Sequence, residues 1–235
     1  MDRISEILDR LRTSGGLGGV ERWNYTAGMG NKELLEEVEA VGRFRTDAFA
    51  IDKGLQFAYE NIARWYSGDA LMTAQTPGTK LLERGDLRKG IYLAGRTGCG
   101  KTWAMEIFAY LAGEHRMKVN IAGKTVSLAP KQCRADEITD AFMRNGEITA
   151  YVEAPVLLIN DLGTEPEEVL YMGNRVDVLR QVLERRADSP RLTLITSNLP
   201  LYADAVKERY GDRVVSRLHQ MCNYLEMTGN DKRIG

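Results

Sequence analysis

The sequence predicts an α/β fold in which a parallel β-sheet is covered by helices on both faces. Apolar, strand-like segments alternate along the chain with segments of helical periodicity, and this order builds such a sheet. Residues 156–159, Val-Leu-Leu-Ile, form a short and wholly apolar run, as expected of a strand at the centre of the sheet. A glycine-rich loop joins the first strand of the series to a helical pattern, which is typical of α/β proteins that bind phosphate.

The alternation defines a five-stranded parallel sheet flanked by helices. Strands are predicted at residues 90–94, 118–122, 156–160, 192–197 and 224–227. Helices are predicted at residues 2–12, 32–41, 52–66, 102–115, 136–145, 167–187 and 202–222. The last of these helices is expected to break near Tyr210 and Gly211, because glycine is a poor helix former.

Length and composition fit one α/β domain with a small appendage. The chain has 235 residues, of which 43% are hydrophobic and 28% charged, ordinary values for a globular protein. No apolar run approaches the ~18 residues that span a bilayer. The three cysteines are widely spaced and indicate reduced thiols in the cytoplasm. The net charge of −1 means that any contact with nucleic acid needs a local basic patch.

Residues 95–102 carry a complete G-x-x-x-x-G-K-[ST] phosphate-binding loop. Its members are Gly95, Arg96, Thr97, Gly98, Cys99, Gly100, Lys101 and Thr102. The glycines let the backbone curl so that successive N–H groups point at one phosphate. Lys101 reaches the β- and γ-phosphates, and the Thr102 hydroxyl is a ligand for Mg²⁺. The loop therefore predicts that the chain binds a nucleoside triphosphate together with Mg²⁺.

A second nucleotide-binding element follows the apolar run 156–159, where the chain continues Asn160-Asp161-Leu162-Gly163. A Walker B element needs a carboxylate held at the end of a buried strand beside Mg²⁺, and a neighbour that orients the attacking water. Asp161 supplies such a carboxylate and is a predicted metal ligand. One strand–helix pair fits between this element and the phosphate-binding loop.

On these two elements the sequence resembles the AAA+ ATPases, specifically the DnaC/DnaI-type helicase loaders and the related IstB transposition ATPases. In those families the strand typically ends in Asp-Asp-Leu-Gly or Asp-Glu-Ile-Gly. The resemblance therefore gives Asn160 the metal-side position at the nucleotide and Asp161 the catalytic position. Asn160 is neutral and adds no charge attraction for Mg²⁺, so slow hydrolysis is expected. An alternative register makes Asp161 the metal-side residue and leaves Glu165 as the catalytic acid.

Three further segments match the same families. Residues 195–199 read Ile-Thr-Ser-Asn-Leu, which implies that Asn198 is sensor 1, between the γ-phosphate and the water. Residues 211–217 resemble a Gly-x-Arg-Val-x-x-Arg segment, which implies that Arg217 is an arginine finger for a neighbouring subunit's ATP, with Arg213 as second candidate. Residues 229–233 resemble a Gly-x-Asp-x-Arg end, which implies that Arg233 contacts the nucleotide of its own subunit as sensor 2.

The resemblance covers about residues 88–235, and it leads to two expected regions. Residues 46–235 are the predicted AAA+ ATPase domain, with no C-terminal lid domain, since the sequence stops soon after Arg233. Residues 1–45 are a predicted helical partner-binding region. Its first helix carries an apolar stripe of Ile4, Ile7, Leu8 and Leu11, followed by a glycine-rich hinge at residues 14–19. Such a stripe needs to pack on the body of the protein or on a partner.

The family resemblance implies an ATP-dependent DNA-replication accessory protein that self-associates with ATP and loads a DnaB-type replicative helicase. One alternative is an IstB-like ATPase that assists a transposase. Another is an ATP-gated binding switch with little hydrolysis. The sequence has no Asn-Lys-x-Asp run, which a GTPase would need, and a small-molecule kinase has no use for the sensor-1 and arginine-finger strings. Single-stranded DNA is a further candidate partner, at Lys118, Lys124, Lys131 and Arg134.

Overall fold

The computed structural model describes residues 20–23, 29–79, 81–229 and 231. The strands within these residues are β1 (Val20–Trp23), β2 (Thr73–Gln75), β3 (Leu82–Arg84), β4 (Gly90–Gly95), β5 (Lys118–Ile121), β6 (Lys124–Ser127), β7 (Lys131–Arg134), β8 (Val156–Leu162), β9 (Val169–Tyr171), β10 (Asn174–Val176), β11 (Leu192–Ser197) and β12 (Cys222–Met227). The helices are α1 (Asn31–Arg45), α2 (Lys53–Ser67), α3 (Lys101–Glu114), α4 (Ala135–Asn145), α5 (Thr149–Val152), α6 (Val178–Ala187) and α7 (Asp204–Met221).

The predicted five-stranded parallel sheet is confirmed, with the strand order β12-β4-β11-β8-β7. Its three central strands β4, β11 and β8 are almost entirely buried, which explains the apolar residues at their centres. Because these strands are parallel neighbours, their carboxyl ends lie at one edge of the sheet. At those ends, or directly after them, lie the phosphate-binding loop, the Walker B residues and the sensor-1 residue.

One strand of the expected sheet was assigned wrongly. The predicted strand at 118–122 is β5, which pairs antiparallel with β1 and β6 in a separate sheet. The fifth parallel strand is instead β7, which lies at the edge beside β8. Within β7 only Cys133 is buried, while Lys131, Gln132 and Arg134 are exposed. An edge strand with one buried residue has no apolar run, so the pattern that reveals the central strands does not reveal this one.

The helix predicted at 167–187 is also wrong over its first half. Residues 169–176 form a hairpin of β9 and β10, and α6 begins only at Val178. Met172 and Gly173 connect the two strands with positive φ angles of 47° and 83°, which closes a two-residue turn. Asp177 then caps α6 by accepting a hydrogen bond from the backbone N–H of Arg180 at 3.1 Å. The expected break in the last helix is confirmed at Gly211, whose φ is 79° and ψ 159°.

Two apolar layers cover the sheet. Leu158 and Leu194 pack on one face with α1, α2 and α3, while Ile159 and Ile195 pack on the other with α4, α6 and α7. Alternate residues of the same strands thus serve opposite layers. Helix α1 buries Leu34 in the first layer, so residues 31–45 pack on the body of the protein.

The division near residue 45 and the partner-binding role of residues 1–45 stay predictions, and the helix predicted at 2–12 lies outside the described residues. Across the part of the chain that the structure describes, no helix combines the length and the apolar character needed to cross a bilayer.

A buried arginine fastens α6 to the sheet. Arg186 has no exposed surface, and its guanidinium donates to the Thr193 hydroxyl and to the backbone carbonyls of residues 151, 152, 154 and 192, at 2.6–3.1 Å. Burial lowers the pKa of Arg186 to about 10. Since the charge is well supplied with acceptors, the side chain joins α6, β11 and the chain entering β8.

We predict that Arg186→Ala lowers the free energy of unfolding by about 3 kcal/mol, because several buried acceptors lose their shared donor. Chemical denaturation followed by circular dichroism measures the change. The matched control is Arg185→Ala, since Arg185 is the exposed neighbour on the same helix, and its loss should stay within about 0.5 kcal/mol. Equal effects of the two substitutions would contradict this role for Arg186.

Candidate nucleotide-binding site

A cavity of about 510 Å³ opens at the carboxyl ends of the central strands. Residues 97–102 of the phosphate-binding loop line it, together with Asp161 near the end of β8 and Asn198 after β11. The remaining lining comes from residues 46, 48–50, 55, 59, 103 and 231. The structure therefore brings the three predicted nucleotide elements into one cavity.

The phosphate-binding loop has the backbone geometry that an anion site requires. Gly98 and Gly100 have φ angles of 79° and 94°, a region that side chains other than glycine rarely adopt. Gly100 begins α3 without a side-chain cap, so no side chain at that position competes for the amide groups of the first turn. These amides and the positive end of the helix dipole suit a phosphate group, and the loop therefore fits the predicted ligand.

Lys101 joins the loop to the predicted sensor-1 residue. Its ammonium nitrogen Nζ donates to the carbonyl oxygens of Gly95 and Arg96 at 2.8 and 2.9 Å. The same nitrogen donates to Oδ1 of Asn198 at 2.7 Å. Lys101 is only 5% exposed, and these partners hold its charge at the floor of the cavity. Residues far apart in sequence thus meet at the place where a phosphate would bind.

The two Walker B residues, Asn160 and Asp161, have different surroundings. Asp161 lines the cavity, whereas Asn160 is buried, and its Oδ1 accepts a hydrogen bond from the Thr196 hydroxyl at 3.2 Å. The hydroxyl oxygen of Thr196 also accepts the backbone N–H of Asp161 at 2.9 Å. The pairing of β8 with β11 shifts register here, and Asp161 adopts a φ of 57°. This irregularity turns the Asp161 carboxylate toward the cavity.

Glu165, the catalytic acid of the alternative register, lies outside the cavity. Its side chain has no exposed surface, and both carboxylate oxygens accept hydrogen bonds from protein donors. A carboxylate engaged in this way is not available to activate water. The structure therefore gives Glu165 surroundings that differ from those of Asp161.

Arg134 is a site neighbour that the sequence did not reveal in this role. It ends β7, and its Nη1 lies 3.7 Å from Oδ2 of Asp161. The guanidinium also contacts Asp136 at 3.0 Å and lowers the pKa of that carboxyl. The strand order would have placed Arg134 beside Asp161, but β7 was not recognised as a strand of this sheet.

Aromatic and aliphatic side chains form the other end of the cavity. Phe49, Leu55, Tyr59 and Trp103 line it, and burial raises the pKa of the Tyr59 hydroxyl. Trp103 is 42% exposed, and the Arg45 guanidinium lies 5.7 Å from its ring centre. This end suits a planar base beside the phosphate-binding loop. In the sequence, the signal for this apolar end of the cavity is Trp103, which directly follows the loop motif.

The segment near residue 231 also reaches the loop. Asp231 lines the cavity, and a methyl group placed on Gly98 would lie 1.9 Å from Oδ1 of Asp231. Gly98 and Asp231 are thus in close approach, and the backbone angle of Gly98 is what favours glycine at this position. Arg233 lies outside the described residues, so its sensor-2 role stays a prediction.

The predicted arginine finger is not part of this subunit's own cavity. Nη1 of Arg217 donates to the Glu184 carbonyl at 3.1 Å and pairs with the Asp188 carboxylate. Arg213, the second candidate, lies 3.9 Å from the Glu184 carboxylate and is largely exposed. Both arginines belong to α7 and contact Glu184 of α6 in their own chain. Their action on a neighbouring subunit stays a prediction.

Solved structures that share this fold include a DnaI and a DnaC helicase loader. A DnaI structure matches with a TM-score of 0.51 and 21% sequence identity, covering 78% of this chain and 89% of the other. A DnaC helicase loader matches with a TM-score of 0.51 and 19% identity, covering 78% of this chain and 95% of the other. The chain matches no protein-family model and no curated protein sequence. The comparison confirms the expected fold: the chain has an α/β P-loop fold built like those of the DnaI structure and the DnaC helicase loader.

We predict that Lys101→Ala weakens ATP binding about 100-fold, because the ammonium is the charged phosphate contact of the loop. Titration with a fluorescent ATP analogue measures the affinity. Lys207→Ala is the control, since Lys207 lies at the surface and pairs with Asp212. Unchanged affinity in Lys101→Ala, with the melting temperature preserved, would contradict the assignment of the loop.

Proposed function

We propose that the chain is an ATPase that binds ATP with Mg²⁺ and hydrolyses it slowly to drive a step of DNA replication. The proposal rests on one observation. Lys101, Asn198 and Asp161 line the same cavity, and Lys101 donates a hydrogen bond to Asn198. A phosphate-binding lysine, a polarising carboxamide and a carboxylate are the groups that hydrolysis of a phosphoanhydride needs.

Each group has a role that follows from its position. The amides of residues 98–102 and Lys101 would hold the phosphates, while the Thr102 hydroxyl and Asp161 would hold Mg²⁺. Bound Mg²⁺ supplies positive charge that offsets the charge developing on the phosphate oxygens. Asn198 would orient the water against the γ-phosphate, and the apolar end with Trp103 would receive adenine.

The proposed biological role is the loading of a DnaB-type replicative helicase. It rests on the family resemblance of the motifs and on the fold shared with DnaI and the DnaC helicase loader. An IstB-like role beside a transposase uses the same ATPase and differs in the partner. We place the protein in the cytoplasm, where either partner would be met.

ATP-dependent self-association belongs to the same proposal. Arg217 lies outside the cavity of its own chain, as a residue acting on a neighbour's γ-phosphate would. Asp188 and the Glu184 carbonyl hold it in the single chain, so assembly would exchange these contacts for a phosphate. An arginine supplied in this way makes hydrolysis depend on assembly.

Single-stranded DNA is a further proposed partner, at four basic residues. Lys118 and Lys124 lie on β5 and β6, while Lys131 and Arg134 lie on β7, so the four residues belong to two sheets. Arg134 is engaged with Asp136 and Asp161, and Lys131 lies 4.9 Å from the Tyr151 ring centre. Lys124 is exposed on β6 and is the best placed to meet a DNA backbone.

An ATP-gated binding switch is the second candidate function, and Asn160 favours it. The side chain at this position is neutral and is already hydrogen-bonded to Thr196. A site that binds ATP without the usual second carboxylate can report nucleotide while hydrolysing little.

We predict that Asp161→Asn lowers ATP turnover about 100-fold while leaving nucleotide affinity within a few-fold of wild type, because the carboxylate acts on water and Mg²⁺. We also expect Asn160→Asp to raise turnover, since it adds the metal-side charge. Steady-state phosphate release measures both rates. Wild-type turnover in Asp161→Asn would overturn the role of Asp161, and loss of turnover in Asn160→Asp would contradict the metal-side assignment of position 160.

We predict that the full chain co-purifies with a co-expressed DnaB-type helicase and that deleting residues 1–19 abolishes this binding. The expected cause is the apolar stripe near the N-terminus, which a partner's groove can bury. The deleted chain should keep its ATP affinity and its melting temperature. Capture of a transposase in place of the helicase would support the IstB-like role, and undiminished helicase binding by the deleted chain would exclude the segment as the docking element.

A further inference from the structure

Residues 161–164, at the end of β8 and in the turn that follows, have a strained backbone that other residues must hold in place. Asp161 has a φ of 57° and Gly163 a φ of 102°. The amide and hydroxyl of Thr164 both donate to the Asp161 carbonyl, at 3.2 and 2.8 Å. A non-glycine residue in the left-handed region persists only where its surroundings enforce it. The direction of the Asp161 carboxylate therefore depends on what fixes this turn.

A buried carboxylate fixes it from the inside. Oε2 of Glu165 accepts the backbone N–H of Gly163 at 2.8 Å. Oε1 accepts from Nη2 of Arg209 at 2.9 Å and from the Tyr210 hydroxyl at 2.5 Å. The Glu165 side chain has no exposed surface, and that of Arg209 only 9%. The carboxylate thus has one donor from the turn and two from α7.

Arg209 extends this connection to both ends of the β9–β10 segment. Its Nη2 also donates to the Pro166 carbonyl at 2.8 Å, and its Nη1 lies 4.0 Å from Oδ2 of Asp177, the cap of α6. One guanidinium thereby contacts the chain just before and just after the hairpin. The turn that carries Asp161 is therefore built onto α7 and is not left to move as a loose loop.

The charge of Glu165 needs an explanation beyond packing. Taking an ion pair out of water is costly, and apolar groups of similar shape often stabilise a core equally well. A carboxylate is useful here because it can accept an amide of the turn and two side-chain donors of α7 at once. These hydrogen bonds fix the orientation of the turn relative to α7, which apolar packing alone would not do.

We propose that Glu165, held by Arg209 and Tyr210, is a positioning residue for Asp161. It acts through the Gly163 amide to aim the Asp161 carboxylate into the nucleotide cavity. The inference rests on the proposed ATPase function and adds to it the residues that align its Walker B group. Glu165 does not line the cavity, so its effect is on alignment alone.

The test uses Tyr210→Phe in the full chain, because this substitution removes one hydrogen bond to Glu165 and keeps the aromatic packing. We expect turnover to fall about tenfold, as for partners that orient metal-binding groups, with KM unchanged and the melting temperature lowered by only a few degrees, to about the extent that one lost hydrogen bond explains. The matched control is Tyr66→Phe, since Tyr66 is equally buried but lies in the other apolar layer. Its turnover should stay at the wild-type value.

Two additional measurements separate alignment from stability. In an Asp161→Asn background, Tyr210→Phe should cause no further loss in single-turnover experiments, because the two substitutions act on one group. Mg²⁺ should also tighten binding of a fluorescent ATP analogue less in Tyr210→Phe than in wild type. This second readout holds even if hydrolysis is too slow to follow.

The outcomes distinguish this inference from the proposed function. Wild-type turnover and Mg²⁺ response in Tyr210→Phe would overturn the positioning role while leaving the ATPase intact. Additive losses of turnover in the double variant would also overturn the positioning role, since they would show that Tyr210 affects turnover independently of Asp161. Failure of the wild-type chain to bind ATP would overturn the proposed function itself.

Discussion

The nucleotide site depends above all on where the Lys101 ammonium is held. A buried cation is costly unless oxygen atoms surround it, and Lys101 has the carbonyls of Gly95 and Arg96 together with the Asn198 carboxamide. The parallel pairing of β4 with β11 places Ala94 opposite Ser197, so both strands end at the same level. Loop and sensor can therefore share one ammonium group. An anionic phosphate would form a charge-assisted contact with this ammonium, which suits the predicted ligand.

The same sheet edge explains why the Walker B strand ends irregularly. Asp161 departs from β geometry at a cost of roughly 1–2 kcal/mol, and the Thr196 hydroxyl helps to offset it by accepting the Asp161 amide. Without the register shift, side chains would continue to alternate between the two faces of the sheet. The irregularity instead gives Asp161 access to the cavity while Asn160 stays buried. Strain at this position is therefore part of how the site is formed.

The elements that the sequence predicted are those whose physical signals are local. The phosphate-binding loop is defined by eight adjacent residues, and β4, β8 and β11 are buried on both faces, so apolar residues predominate in β4 and β8 and occupy positions 192, 194 and 195 of β11. Asp161 and Asn198 both line the cavity, because Asp161 lies at the carboxyl end of β8 and Asn198 directly follows β11.

The missed elements depend on contacts between distant residues. Strand β7 is recognisable only through its pairing with β8, since its own sequence buries Cys133 alone. Strand β5 has an alternating pattern that fits either sheet, and only its antiparallel partners assign it to the smaller one. The missed contacts of Arg134 and Glu165 follow from these tertiary relations, because the partners of both residues include side chains far away in sequence. Local periodicity carries no information about such contacts.

The neutral residue at position 160 and the burial of that position have one physical explanation. Asn160 is 5% exposed and hydrogen-bonded to Thr196, so a carboxylate there would be taken out of water whenever no cation is bound. Such a charge would raise the cost of the nucleotide-free state, whereas a carboxamide adds no charge to be desolvated. On the proposed function, the carboxamide at position 160 adds no charge attraction for Mg²⁺ and no buried charge to the nucleotide-free protein, so we expect slow hydrolysis and a stable nucleotide-free protein together.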